Sequence, residues 1–201
     1  VYETDSDDLS TAQTNKYRRL ADLADIQPGD HVLEIGCGWG GFAKYAVEER
    51  GAHVTGITIS KAQLEFASNR LAAAGLADRT DVRLVDYRDV DGIFDRIVSI
   101  EMFEAVGQAY WQTYFEALSR LLKSGGRAAL QAITIEEQAF EEYRANPDFI
   151  QRYIFPGGML PSMPRLEKPV DAAGLKLVAV KGYGLDYART LAEWRERFIA
   201  S

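Results

Sequence analysis

The segment that most restricts the fold is His31-Val32-Leu33-Glu34-Ile35 running straight into Gly36-Cys37-Gly38-Trp39-Gly40-Gly41. A short apolar run of this kind reads as a buried strand, and the G-x-G-x-x-G spacing after it lets the backbone turn tightly and approach a ligand before a helix begins. That helix runs to about Arg50, and the same cycle then repeats. His53 to Thr58 reads as strand, Ser60 to Ala74 as helix and Val82 to Val85 as strand. Phe94 to Ile100 follows as strand, Tyr110 to Leu122 as helix and Arg127 to Ile135 as strand. Such alternation predicts an α/β domain, a mostly parallel central sheet with helices on both faces and right-handed crossovers. Ligands of such sheets bind outside the carboxyl ends of the strands.

Three further stretches flank this Rossmann-like pattern. Leu9 to Leu23 has helical spacing and reads as a lead-in helix outside the core. From Glu136 a charged, aromatic-rich helical stretch with Phe140, Tyr143, Phe149 and Tyr153 passes into the apolar loop Ile154 to Pro161, an insertion before a last strand at Lys176 to Val180. Leu191 to Phe198 is amphipathic. With no repeats or low-complexity linker, residues 1–201 read as a single domain.

A net charge of −7 leaves no footprint for nucleic acid. The longest apolar runs fall well short of the ~20 residues of a membrane span, and no signal peptide opens the chain, so a cytoplasmic location is expected. Cys37 is the single cysteine and has no disulfide partner. His31 and His53 start strands and read as surface residues, so no metal is indicated.

The glycine loop alone suits a dinucleotide pyrophosphate or the methionine portion of S-adenosylmethionine. An acid such as Glu34 at the end of a buried strand is costly unless paired, and it is misplaced beside a pyrophosphate. Beside a ligand bearing an ammonium and a sulfonium its sign is favourable. Its other reading is a tie between the loop and neighbouring backbone. The acid expected at the end of the second strand of a dinucleotide site is replaced by Thr58. Thr58, Ile59 and Gln63 offer a hydroxyl, backbone groups and an amide to ribose and adenine. Asp86 is a candidate acceptor for an adenine amino group, or a plain turn acid, with Tyr87 as an apolar wall. Gly36, Gly38 and Gly40 complete the candidate cofactor set.

Val32 to Phe42, Thr58-Ile59-Ser60 with Gln63, Asp86-Tyr87-Arg88-Asp89, Ser99 to Gly107 and Tyr153 to Gly158 occur in one order and spacing. Taken together, the chain resembles the cyclopropane fatty acid synthase and mycolic acid synthase family of S-adenosylmethionine-dependent methyltransferases. The resemblance implies a class I methyltransferase fold and methyl transfer to the double bond of an unsaturated acyl lipid or phospholipid, with peripheral membrane contact as a companion expectation. It implies a bicarbonate that takes a proton from the resulting cation, in a pocket mapping onto Cys37, Glu104, Gln131, Ile133 and Tyr187, and it puts the Ile100 backbone near the cofactor. It also implies a Tyr-Ser lid element before Val1 and a helical region after Ser201, neither within these residues.

The family usually has histidine where this chain has Gln131. A neutral amide donates hydrogen bonds but cannot titrate or carry positive charge. Methyl transfer is therefore expected, with either a cyclopropane or a methyl- or methylene-branched product. Other readings stay open at this level: a cofactor-binding module without turnover, a small-molecule methyltransferase and, on the bare glycine pattern, a nicotinamide oxidoreductase.

Overall fold

The computed structural model describes residues 1–201. Strands β1 (His31–Ile35), β2 (His53–Thr58), β3 (Thr80–Leu84), β4 (Phe94–Ile100) and β5 (Leu122–Gln131) form one sheet in the order β3-β2-β1-β4-β5. All four pairings are parallel, as the strand and helix alternation predicts. The strand order reverses direction between β1 and β4, which opens a crevice at their carboxyl ends. The glycine loop after β1 and the segment after β4 both face that crevice.

Helices α1 (Leu9–Ala24), α2 (Gly41–Arg50) and α3 (Lys61–Ala73) contribute to one core, and α4 (Trp111–Leu121), α5 (Glu137–Ala145) and α6 (Met163–Ala172) to the other. Successive strand residues alternate between the two. Val32 and Val98 meet Phe42, Ala46 and Leu71, while Leu33, Ile35 and Ile97 meet Tyr114, Phe115 and Leu118. Each large apolar side chain removed from water in these layers contributes roughly 1.5–3 kcal/mol. This burial on both faces is why β1 reads as a continuous apolar run rather than an alternating one.

Helix starts follow capping chemistry. Asp8 accepts the Thr11 N–H at 2.7 Å to open α1, and Ser60 accepts the Gln63 N–H at 3.3 Å to open α3. In contrast, α2 begins at Gly40 with no side-chain cap of its own.

Three sequence expectations are corrected. First, α1 is a core element: its small residues Ala21 and Ala24 let it sit tightly beside α2, with Leu20 buried next to them. Second, β5 spans Leu122–Gln131 and stops before Ile135. Beyond Gln131 the chain leaves the ladder, and the Ile133 N–H goes to a side chain instead of a strand. Third, Lys176 to Val180 is not a strand. Its apolar, valine-rich content is strand-like, but no neighbour pairs with it, and Val178 is 76% exposed. A strand without a ladder partner is not stable in water.

The last helix, α7 (Gly184–Ile199), covers the amphipathic stretch and buries no residue fully. No helix is long and apolar enough to cross a membrane.

Candidate active site

The glycine loop is built from left-handed backbone. Gly36, Gly38 and Gly40 have φ of 80°, 51° and 75°. At Gly36 a side chain is excluded twice, because a Cβ would also lie 2.8 Å from the Met102 Cγ. The Gly36 and Cys37 N–H groups both donate to the Ile57 carbonyl at 3.0 and 2.9 Å, which ties the loop to β2.

Glu34 lies under this loop at 2% exposure, with its Oε2 buried and unpartnered. Burial drives its carboxyl well above the ordinary carboxylate range, opposed by the Ala43 backbone N–H in the first turn of α2 and by the nearby Lys16 ammonium. Both readings of Glu34 are therefore present: one interaction ties it to the start of the uncapped helix, and one oxygen is left over for another cation or donor.

At the end of β2, buried Thr58 donates to Gln63 Oε1 at 2.7 Å and accepts the Ser60 N–H at 3.1 Å. Next to it, the Ile59 side chain is 80% exposed. After β3, Asp86 is gripped by Arg88, whose Nε and Nη2 donate to its two oxygens at 2.8 Å each. This holds its carboxyl below the usual range and spends part of its acceptor capacity. Tyr87 stands edge-on to Tyr114, with ring centroids 5.2 Å apart. Gly36 to Gly40, Thr58, Ile59, Gln63, Asp86 and Tyr87 thus follow the carboxyl ends of three adjacent strands.

A second group gathers at the ends of β4 and β5. Ile100 is in register with Gln131, and the Glu101 N–H closes the ladder on the Gln131 carbonyl at 2.9 Å. Glu104 accepts the Ile133 N–H at 2.6 Å, while its Oε2 is buried without a partner. Burial raises the Glu104 carboxyl above its ordinary value. Its backbone carbonyl accepts the Met159 N–H at 2.8 Å and so anchors the Gly157-Gly158 loop. Tyr187, half-buried on α7, has its phenol raised by burial with Glu101 and Glu104 as its charged neighbours.

Glu104, Gln131, Ile133 and Tyr187 are therefore brought together at the ends of β4 and β5, while Cys37 follows the end of β1. Its side chain packs on β2, so close to Gly56 that a Cβ there would lie 2.9 Å from the Cys37 Cβ. Burial also pushes the thiol up to about 12. The Cys37 side chain is thus buried beneath the loop.

The motif reading passed over Lys16, Tyr17 and Glu101. The Tyr17 hydroxyl lies on Gly41, leaving no room for a side chain there. Lys16 is half-buried between Glu34 and Glu101, and burial lowers its ammonium. Glu101 has a left-handed backbone, φ 50°, which nothing in its local sequence announces.

The mycolic acid cyclopropane synthetase family matches residues 1–201. The chain belongs to this family. Across 193 residues it is 46% identical to the tuberculostearic acid methyltransferase UfaA1 of Mycobacterium tuberculosis, covering 96% of this chain and 45% of that protein. It is 36% identical to the cyclopropane-fatty-acyl-phospholipid synthase of Escherichia coli over 201 residues, all of this chain and 50% of that one. The chain thus spans about half the length of these curated relatives. Among solved structures it is similar to the mycolic acid cyclopropane synthase CmaA1 complexed with SAH and CTAB, with TM-score 0.88 and 30% identity over 99% of this chain and 73% of that one. The fold is that of the class I S-adenosylmethionine-dependent methyltransferases.

Proposed function

We propose that this chain binds S-adenosylmethionine at the glycine loop and transfers its methyl group to the double bond of an unsaturated fatty acyl chain carried on a lipid or phospholipid. The observation that carries this reading is the Glu34 carboxylate, buried beneath left-handed glycines with one oxygen unpartnered. A buried carboxyl that can ionise against a cationic ligand fits S-adenosylmethionine and finds no such partner in a pyrophosphate, so it speaks against a nicotinamide dinucleotide.

Glu34 and the Gly36, Gly38 and Gly40 backbone would hold the methionine portion. Thr58, Ile59 and Gln63 would meet the ribose, and Asp86, Tyr87 and the Ile100 backbone the adenine. Bound there, S-adenosylmethionine supplies an electrophilic methyl group. An alkene needs no base to attack it, so the protein's tasks are to align the double bond, exclude water and accept a proton from the cation that forms. Glu104 and Tyr187 would face that cation, with Gln131 and Ile133 completing the wall.

The acyl chain is supported by an apolar surface beside this wall. Phe149, Ile150, Tyr153, Ile154 and Phe155 are all exposed, on a π-helical turn at Ile150–Ile154 and the residue on either side of it. A patch of this kind suits an acyl chain or the surface of the membrane that holds it. The relatives named for fatty acid and phospholipid substrates support the same class.

Calorimetric titration with S-adenosylmethionine, followed by turnover with unsaturated phospholipid, tests the reading. Binding followed by methylated acyl product is expected. Binding with no product from any unsaturated lipid reduces the chain to a cofactor-binding module.

A further inference from the structure

The strained backbone at Glu101 places its carboxylate beside the residue that departs from the family's pattern. Gln131 Nε2 donates to Glu101 Oε1 at 2.8 Å, and the Glu101 N–H donates back to the Gln131 carbonyl. The two residues are locked together through side chain and backbone at the carboxyl ends of β4 and β5. They share a cavity of about 110 Å³ with Lys16, Tyr183, Tyr187 and Trp194. A non-glycine residue at φ 50° is unfavourable and persists where the surroundings hold it. Here they hold it with the side chain exposed to that cavity.

The charge around the cavity bears on which group takes the proton. Glu101 lies near enough to Lys16, Tyr17, Glu104 and Tyr187 to act on each electrostatically. A free anion such as bicarbonate would enter beside two carboxyl groups, Glu101 and Glu104, against one cation, Lys16, that already faces Glu101. One of the two amide hydrogens that Gln131 could offer it is already committed to Glu101. The site supplies an anion of its own where the family's resemblance implies a borrowed one.

We propose that Glu101 is the proton acceptor of the methylation, held in place by Gln131, and that the reaction runs without bicarbonate. The proposal rests on alkene methylation as the function. As the methyl carbon bonds to one alkene carbon, its bond to sulfur breaks and the positive charge falls on the neighbouring carbon. A C–H bond of the new methyl group then breaks. Its electron pair closes a ring or, after a hydride shift onto the cationic carbon, forms the double bond of a methylene branch, and the proton passes to the Glu101 carboxylate. From its exposed position Glu101 returns that proton to water.

The test compares the wild type with Glu101→Gln and Glu101→Gly, using oleoyl phospholipid vesicles and buffers stripped of or supplemented with bicarbonate. Glutamine keeps an oxygen for Gln131 and removes the base. Glycine suits the left-handed backbone and leaves room for a small acid. Wild-type turnover is expected to be the same with and without bicarbonate. Glu101→Gln is expected to lose at least about 100-fold in kcat, with cofactor affinity and lipid KM unchanged. Added formate is expected to restore part of the turnover of Glu101→Gly and none in Glu101→Gln, a split that a merely structural role would not produce. Full activity in Glu101→Gln, or wild-type turnover that rises with bicarbonate, overturns the proposal while leaving alkene methylation standing. A wild type that methylates no unsaturated lipid overturns the underlying function, and this proposal with it.

Discussion

The Glu104 carboxylate accepts the Ile133 backbone N–H at 2.6 Å, and its second oxygen is buried without a partner. This bond joins the segment after β4 to the segment after β5, and the Glu104 carbonyl ties both to the Met159 loop. One residue thus holds three pieces of the site wall. Replacing it with glutamine leaves an acceptor for Ile133 and removes the charge. Because a charge facing the developing cation is lost, Glu104→Gln is expected to keep cofactor affinity and lower kcat by about 100-fold, as measured by product formation under saturating lipid.

The Glu34 carboxyl is raised by burial, so the folded protein retains its proton at pH values where the unfolded chain has released it. Stability from this group is greatest below the unfolded carboxylate pKa and falls as pH rises toward its folded pKa. Glu34→Gln is expected to flatten that fall in a Tm-against-pH series. The same substitution should weaken S-adenosylmethionine by roughly 1.5–3 kcal/mol, about ten- to a hundredfold, because a charge-assisted contact is lost. Calorimetry in buffers of different ionisation enthalpy should also show a proton released by Glu34 on cofactor binding.

Gly36→Ala forces a side chain onto left-handed backbone and into Met102. The backbone alone costs about 1–2 kcal/mol, and for a chain of this size each kcal/mol lowers Tm by roughly 2–4 °C. A drop of several degrees in thermal melting is expected.

The loop was largely legible in the sequence. The apolar run, the glycine spacing and the out-of-place acid at Glu34 follow from local chemistry, and so does the parallel sheet, because alternation with crossover-length helices leaves few other topologies. What escaped depends on contacts between distant segments. Cys37 stands among the site motifs in sequence, yet the turn of its own loop aims it at Gly56. Asp86 reads as a free acceptor until Arg88, two residues on, folds back on it. The core role of α1 was hidden because three of its four buried residues are alanines, Ala12, Ala21 and Ala24, which mark a helix without marking a buried face. Lys176 to Val180 has the pattern of a strand and lacks a partner, which no local pattern records. Glu101 was visible inside a motif, but its left-handed backbone and its bond to Gln131 arise only when β4 and β5 pair.

The thiol of Cys37 offers a check on its packing. Packed on β2 and raised to about 12, it should resist iodoacetamide in the native protein at pH 8 and react once the chain is unfolded in denaturant. Rapid alkylation of the native protein would return Cys37 to an accessible, reactive site.

The most direct test of methyl transfer to an acyl double bond uses S-adenosylmethionine with a trideuterated methyl group, vesicles of oleoyl phospholipid and mass spectrometry of the released acyl chains. Deuterium carried on an acyl chain that has gained one carbon is the expected result. Loss of one deuterium from the transferred group marks a cyclopropane or methylene product, and retention of all three marks a methyl branch. Cofactor consumed with no deuterium in any acyl chain would contradict the account.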